Sequence, residues 1–392
     1  MKKTLFFLIL LILSNTLHAQ NNEEKINHVI IDYEKEIKDE NVYNSRTLNL
    51  LFNKSLDYYI TSIEIPSVKS LSAVLDNDDN SFSFGYSFDP RNGSKTDYLR
   101  FLIYTGIKLK GKKDEDFYEF FESDKASNNL GAELKMTYFI PGRIWNSKQK
   151  SPRKDIESNR ITKIKRKAIE EYENISELDT TTIRNFIAEN EVEYILKNKK
   201  YNSFGKMWLT LRGYFPITNN EYSFINNATD FIKSNPQFRN WDISFSLNLL
   251  GILKDNKSFT FSLIPRIYNN NNILTKDLLN QTFSTFQELG ADQPVLTKTE
   301  QFYVGELEEF ITSQIKSELT VFLFFNGSMG FSAAAEQNIG KYDSFNWKLG
   351  LPINLKNSKG ESNINFEIQW KEITKQHYVG ISIGKTFGKF VK

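Results

Sequence analysis

Eight charged side chains hold most of the chemistry this chain could do: Glu133, Lys135, Lys206, Arg212, Arg266, Lys348, Glu367 and Lys371. Each lies in a stretch where apolar and polar residues alternate, on the face opposite the apolar one. If the apolar faces meet lipid, these charges line a lumen of mixed sign with a basic excess. Such a lining makes either a small pore tolerant of anions or an interior closed by salt bridges and by the N-terminal segment, because barrels near ten strands are narrow.

Residues for catalysis are scarce. Beyond the first twenty positions the histidines are His28 and His377, and there is no cysteine, so Cys-His pairs and histidine-rich metal clusters are not expected. A hydrolase would have to pair His377 with a serine such as Ser362, and no flanking motif supports that. Gly340-Lys341 and Gly384-Lys385-Thr386 echo the end of a phosphate loop but lack its preceding glycine spacing. Asp76-Asn77-Asp78-Asp79-Asn80 lacks the ordered spacing and glycine bend of a calcium loop and reads as a polar turn. The expectation is therefore a non-enzymatic protein with no cofactor and no metal.

These residues must be positioned by elements that the chain's start helps to locate. Lys2 and Lys3 precede the apolar run Leu5 to Leu13, followed by Ser14-Asn15-Thr16-Leu17-His18-Ala19-Gln20, the charged, apolar and cleavable parts of a secretory signal. Residues 1–19 are expected to be removed. The nine apolar residues of that run are far short of the roughly 20 of a spanning helix, and no later stretch approaches that length. A membrane-crossing form would have to use strands. Aromatic residues make up 14% of the chain, with 32 Phe and 18 Tyr, more than so polar a chain needs. The net charge of +2 leaves no electrostatic footprint for nucleic acid.

From Asn22 to about Lys38, Ile26, Val29, Ile30, Tyr33 and Ile37 recur at helical spacing, so a short amphipathic helix is expected. The stretch from Leu48 to Leu75 reads as a periplasmic lead-in or plug, making 20–80 one unit. Period two begins at Ser81-Phe82-Ser83-Phe84-Gly85-Tyr86-Ser87-Phe88 and recurs to the C-terminus, for example at Trp241, Ile243, Phe245, Leu247 and Leu249 against Asp242, Ser244, Ser246 and Asn248. The segments run about 8 to 13 residues, closer to tilted membrane strands than to the five or six of ordinary globular ones. Trp241, Trp347, Trp370 and Tyr378 sit where interfacial girdles would lie. Leu319 to Ala335 is either one long strand or two turned at Asn326-Gly327. In the latter case a twelfth strand is needed, with Phe117 to Phe121 a candidate.

Three connections exceed turns. Residues 151–200 carry a helical hairpin: Ile161, Ile164, Ala168, Tyr172 and Ile175, a break at Asp179-Thr180-Thr181-Thr182, then Ile183, Phe186, Ile187, Tyr194 and Ile195. Tyr222 to Ser234 is expected to hold a short helix. Residues 274–316 are expected to hold two more, Leu274 to Leu289 and Phe302 to Ile315. Long structured loops usually carry function.

The closing segment, His377-Tyr378-Val379-Gly380-Ile381-Ser382-Ile383-Gly384-Lys385-Thr386-Phe387-Gly388-Lys389-Phe390, is an amphipathic strand with aromatics near its end. From about Ser81 onward the chain resembles outer-membrane β-barrel proteins, especially the Bacteroidetes type. It departs from their pattern in that Val391 and Lys392 follow Phe390, so the last residue is not aromatic. The resemblance implies an all-β membrane barrel over 81–392, exported into a Gram-negative outer membrane, and the alternating segments give it ten to twelve antiparallel strands. It also implies outer-membrane lipid and the barrel-assembly machinery as partners, and transfers no catalytic residue. Two functions are carried forward: a small pore, or a closed anchor whose helical insertions bind an envelope protein.

Overall fold

Serine and glycine alternate with rings along Ser81–Phe88, and that alternation sets the strand's two faces: Ser81, Ser83 and Ser87 are buried, while Phe84 and Tyr86 are exposed. The same inversion, polar inside and apolar outside, runs round a closed sheet. The computed structural model describes residues 21–35, 45–62, 64–77, 80–91, 99–110, 121–122, 125–126, 130–140, 143–145, 161–172, 175, 178–198, 203–225, 232–253, 257–275, 277–278, 280–287, 296–356, 362–373 and 375–391.

Twelve strands form the barrel: β1 (Lys69–Asp76), β2 (Ser81–Phe88), β3 (Phe101–Lys110), β4 (Leu130–Phe139), β5 (Ser203–Pro216), β6 (Asp242–Leu253), β7 (Ser258–Asn271), β8 (Glu309–Phe324), β9 (Met329–Gly340), β10 (Ser344–Lys356), β11 (Ser362–Ile373) and β12 (Gln376–Phe390). Each pairs antiparallel with the next, and β12 returns to β1, with Leu71 opposite Phe387 and Leu75 opposite Ile383. The ring leaves no free edge of its own. Because twelve is even, the entry to β1 and the exit from β12 lie at one end, here called the termini end.

The outward residues form an apolar belt. On β12, Ile381 is 50% exposed while its neighbour Ser382 is 0% exposed. On β6 the outward row from Ile243 to Leu253 spans ten residues, about 33 Å along the strand and roughly 25 Å after a tilt near 40°, the height of a barrel's lipid-facing band. Aromatic pairs mark the rims. Trp347 and Trp370 meet edge to face at 5.1 Å at one end, and Phe324 and Phe331 at 5.7 Å at the termini end.

Inside, two glycines of adjacent strands make room for one ring. A Cβ at Gly85 would come within 2.5 Å of the Tyr104 ring, and one at Gly106 within 2.5 Å of its hydroxyl. Tyr104 therefore lies flat along the wall, where any larger residue would push it into the interior.

Four α-helices are present among the described residues, all at the termini end: α1 (residues 21–35), α2 (Ser45–Leu56), α3 (Ile161–Tyr172) and α4 (Thr180–Asn198). Asp179 caps α4, its carboxylate accepting from the Thr182 backbone N–H at 2.7 Å. Ile26, Val29, Ile30 and Tyr33 of α1 pack on Ile161, Ile164 and Ala168 of α3 and on Ile183 and Ile187 of α4. Asn22 closes the corner by donating to the Ile175 carbonyl at 2.7 Å. The expected N-terminal helix and helical hairpin thus form one small bundle beneath the barrel.

Several expectations are corrected. Among the described residues of 274–316 there is no helix: Asn280–Gln287, Leu296–Val304 and the start of β8 are strands. Phe283 and Phe286 mimic a helical spacing, but cross-strand pairing decides the outcome. The helix expected at Tyr222 to Ser234 is replaced, within the described residues, by the short strands Phe224–Ile225 and Lys233–Ser234. Leu319 to Ala335 is two strands, turned at Phe325, Asn326 and Gly327, all with positive φ. The twelfth strand is β1, not Phe117 to Phe121, so the barrel begins at Lys69 rather than Ser81. Residues 111–120 and the expected leader lie outside the described residues.

The barrel interior as candidate functional site

Period two aims every second side chain of the twelve strands at the axis, so the site is the interior itself. Glu133, Lys135, Lys206, Arg212, Lys348, Glu367 and Lys371 are buried there, and Arg266 is partly so. The geometry sorts them into two networks and two further ties.

The first network centres on Asp242 of β6, which is 0% exposed. Its carboxylate meets the Arg212 guanidinium at 2.5 Å, Lys110 at 2.8 Å and Arg266 at 2.9 Å. Arg212 also reaches Glu133 at 3.6 Å and Glu64 at 3.4 Å. Lys135 pairs with Glu133 at 3.6 Å, its ammonium 4.4 Å from the centre of the Tyr104 ring. A carboxylate so buried is tenable only with several cationic partners, and removing one partner of such a pair costs about 3–5 kcal/mol.

The second network joins β8, β10 and β11. Lys348 bridges Glu318 at 2.9 Å and Glu367 at 3.6 Å, and Lys316 holds Glu318 at 3.2 Å. Glu367 also accepts hydrogen bonds from Ser332 and from Thr61. The two further ties are made by Lys206, whose Nζ donates to Asn49 at 2.8 Å and lies over the Phe52 ring, and by Lys371, whose Nζ donates to the Asn77 carbonyl. Asn77 folds inward from the β1–β2 turn, its side-chain nitrogen donating to Gln369 at 3.0 Å.

Four of these partners, Asn49, Thr61, Glu64 and Asn77, are not on strands. Three belong to residues 45–68, which enter the barrel from the termini end as a plug. Leu51, Phe52 and Leu56 of α2, then Tyr59, Ile60, Ile65 and Val68, pack in one core with Leu102, Phe139, Phe204, Trp208, Leu250, Ile252 and Phe322 of the wall. Phe52 meets Phe139 and Trp208 edge to face at 5.5 and 5.7 Å. Asp57, buried, pairs with Lys69 at 2.9 Å, accepts from Thr386 at 2.6 Å, and its carbonyl accepts from Asn365 at 2.9 Å. The Tyr59 hydroxyl donates to Ser258 at 2.7 Å. Gly384 faces the plug so closely that a Cβ there would lie 1.4 Å from the Ile60 carbonyl oxygen. A barrel of about eight strands fills itself with side chains, while sixteen leave a channel. Twelve strands leave room for a chain segment, and residues 45–68 take it.

Sequence reasoning did not single out Asp242, Lys110, Glu318, Asp57 or Glu64. Asp242 and Glu318 stand on the polar side of alternating strands and were open to the same argument as the eight. Asp57 and Glu64 belong to a segment with no periodicity, which carries no signal. Ser362 and His377 are not brought together: Glu372 pairs with His377, and Ser362 lies ten residues back along β11, about 33 Å away. Gly340 ends β9 with positive φ, and Gly384 sits within β12 against the plug.

No protein-family model matches the chain, and no curated protein matches it. Among solved structures it is similar to the beta domain of the Bordetella autotransporter Brka, at 7% identity and a TM-score of 0.27, over 78% of this chain and 89% of that one. At that level the comparison adds no weight to the closed twelve-strand topology, which stands on its own hydrogen bonding.

Proposed function

We propose that this chain is a non-enzymatic outer-membrane barrel, closed by its own N-terminal segment, that anchors structured ends for envelope partners. The observation that carries this reading is the plug: residues 45–68 fill the bore and are tied to β1, β5, β7, β11 and β12 through Lys69, Lys206, Arg212, Ser258, Asn365, Glu367 and Thr386. The inverted burial pattern supports lipid as the outer solvent, since an apolar belt about 25 Å tall has no other covering among the described residues. Export through the general secretory route into a Gram-negative envelope, and kinship with Bacteroidetes-type barrels, belong to the same proposal and rest on the leader and the closing strand. With both termini on the periplasmic side, the α1/α3/α4 bundle faces the periplasm and is the contact surface for an envelope protein.

A closed anchor and a pore differ in planar bilayers. The full chain is expected to insert without steady conductance, and to lose its co-purifying envelope partner when residues 151–200 are deleted. Stable ohmic steps from the intact chain would refute the closed reading. An unboiled sample with no altered gel mobility, recovered from a soluble fraction, would refute the outer-membrane barrel itself.

A further inference from the structure

Beyond the barrel, the end opposite the termini carries a four-stranded sheet built from the β5–β6 and β7–β8 connections. Its order is Lys233–Ser234, Phe224–Ile225, Leu296–Val304, Asn280–Gln287. Phe224 and Ile225 are buried and run parallel to Tyr303 and Val304, and the Phe283 ring lies 6.2 Å from that of Phe302. The sheet therefore has its own apolar packing.

Its two edges are unlike. One is two residues long and carries Lys233, whose ammonium pairs with Glu300, a short charged edge of the kind that resists strand addition. The other, Asn280–Gln287, is eight residues long and paired along its whole length on one side, from Asn280 opposite Tyr303 to Gln287 opposite Leu296. Its sequence, Asn-Gln-Thr-Phe-Ser-Thr-Phe-Gln, contains no charge, no proline and no glycine. Asn280, Gln281, Thr282 and Ser284 are exposed, and no described strand lies on its outer side. Every second residue there turns its N–H and C=O outward, unmatched by any ladder among the described residues.

We propose that this edge is a self-association site, along which two copies of the chain join antiparallel to make one continuous eight-stranded sheet beside the barrels. Two features select a second copy as occupant. A two-fold axis brings a strand edge against its own copy in antiparallel sense, so one surface is complementary to itself. The absence of charge removes the like-charge repulsion that self-pairing would otherwise meet at every facing position. Co-orientation in a membrane would hold the edges at one level, but the inference rests on the sheet alone and stands apart from the closed-bore reading.

The chain has no cysteine, so a single introduced thiol is unique. The experiment treats purified full-length Ser284→Cys, in detergent and in vesicles, with a short bismaleimide, alongside Asp343→Cys, an exposed position in the β9–β10 turn at the same end. A dimer is expected from Ser284→Cys and not from Asp343→Cys. Adding Thr282→Lys should lower the dimer about fivefold, the effect of like charges facing across an antiparallel pair. Gln281→Lys serves the same purpose should Thr282→Lys fail to give the heat-shifted gel band of a folded barrel. Cross-linking no greater than that of Asp343→Cys, a dimer indifferent to the added lysines, or adducts only with a different protein would overturn the proposal.

Discussion

Replacing Gly384 with valine tests the plug at its tightest point. A Cβ at this position would overlap the Ile60 carbonyl oxygen at 1.4 Å, and the atom in the way is backbone, with no rotamer to retreat to. The segment must lift, taking with it the Asp57 contacts to Thr386 on the same strand and to Asn365 on the adjoining one. Overpacking of this kind costs about 1–3 kcal/mol, which multiplies the population of the displaced plug by roughly 5- to 160-fold. The barrel hydrogen bonds of β12 to β1 and β11 are untouched, so the heat-shifted band should persist. Limited trypsin digestion reads the difference at Lys54, on α2, where cleavage is expected to quicken in proportion to that population. Gly213→Val is the control, since a Cβ there meets only the movable Phe215 ring. Equal cleavage rates and equal thermal midpoints for Gly384→Val and the parent would refute the placement of Ile60 against β12.

Arg212→Ala leaves Asp242 and Glu133 buried with fewer cations and should destabilise the barrel by about 3–5 kcal/mol in urea titrations from vesicles; a loss under 1 kcal/mol would deny the network its role. Leu247→Arg, at the middle of β6, should cost about 2–4 kcal/mol on folding into vesicles, and Ile243→Arg near the rim no more than about 1. Equal penalties at the two depths would count against lipid as the outer solvent. Gly106→Val should force the Tyr104 ring from the wall at a cost of about 1–3 kcal/mol, relieved in part by Tyr104→Ala; additive effects of the two changes would show that they do not share that space.

The barrel was legible wherever a strand separates an apolar outer face from a polar interior, because each residue then answers to one environment only. Trp241 to Leu249 and Ile364 to Lys371 read cleanly for that reason. β1 did not, since Val74 points inward at the apolar plug and spoils the alternation of Ser72 and Asp76. The interior charges were visible as a face but not as networks, because spacing along one strand does not say which residue lies across the bore. Asp242 became a hub only through Arg212, Lys110 and Arg266, each on a different strand. The peripheral sheet was misread as helix, its short strands being fixed by partners far away in sequence.

The seam between β1 and β12 joins the first and last strands of the barrel. Leu71 pairs with Phe387, more than three hundred residues later, so the ring cannot close without the last strand, and its closure carries a long-range loop cost. The segment that fills the bore is joined directly to the first strand at Lys69. The last two walls, β11 and β12, are also the ones that hold Asp57 and Ile60, so the strands that complete the ring are the strands that grip the plug.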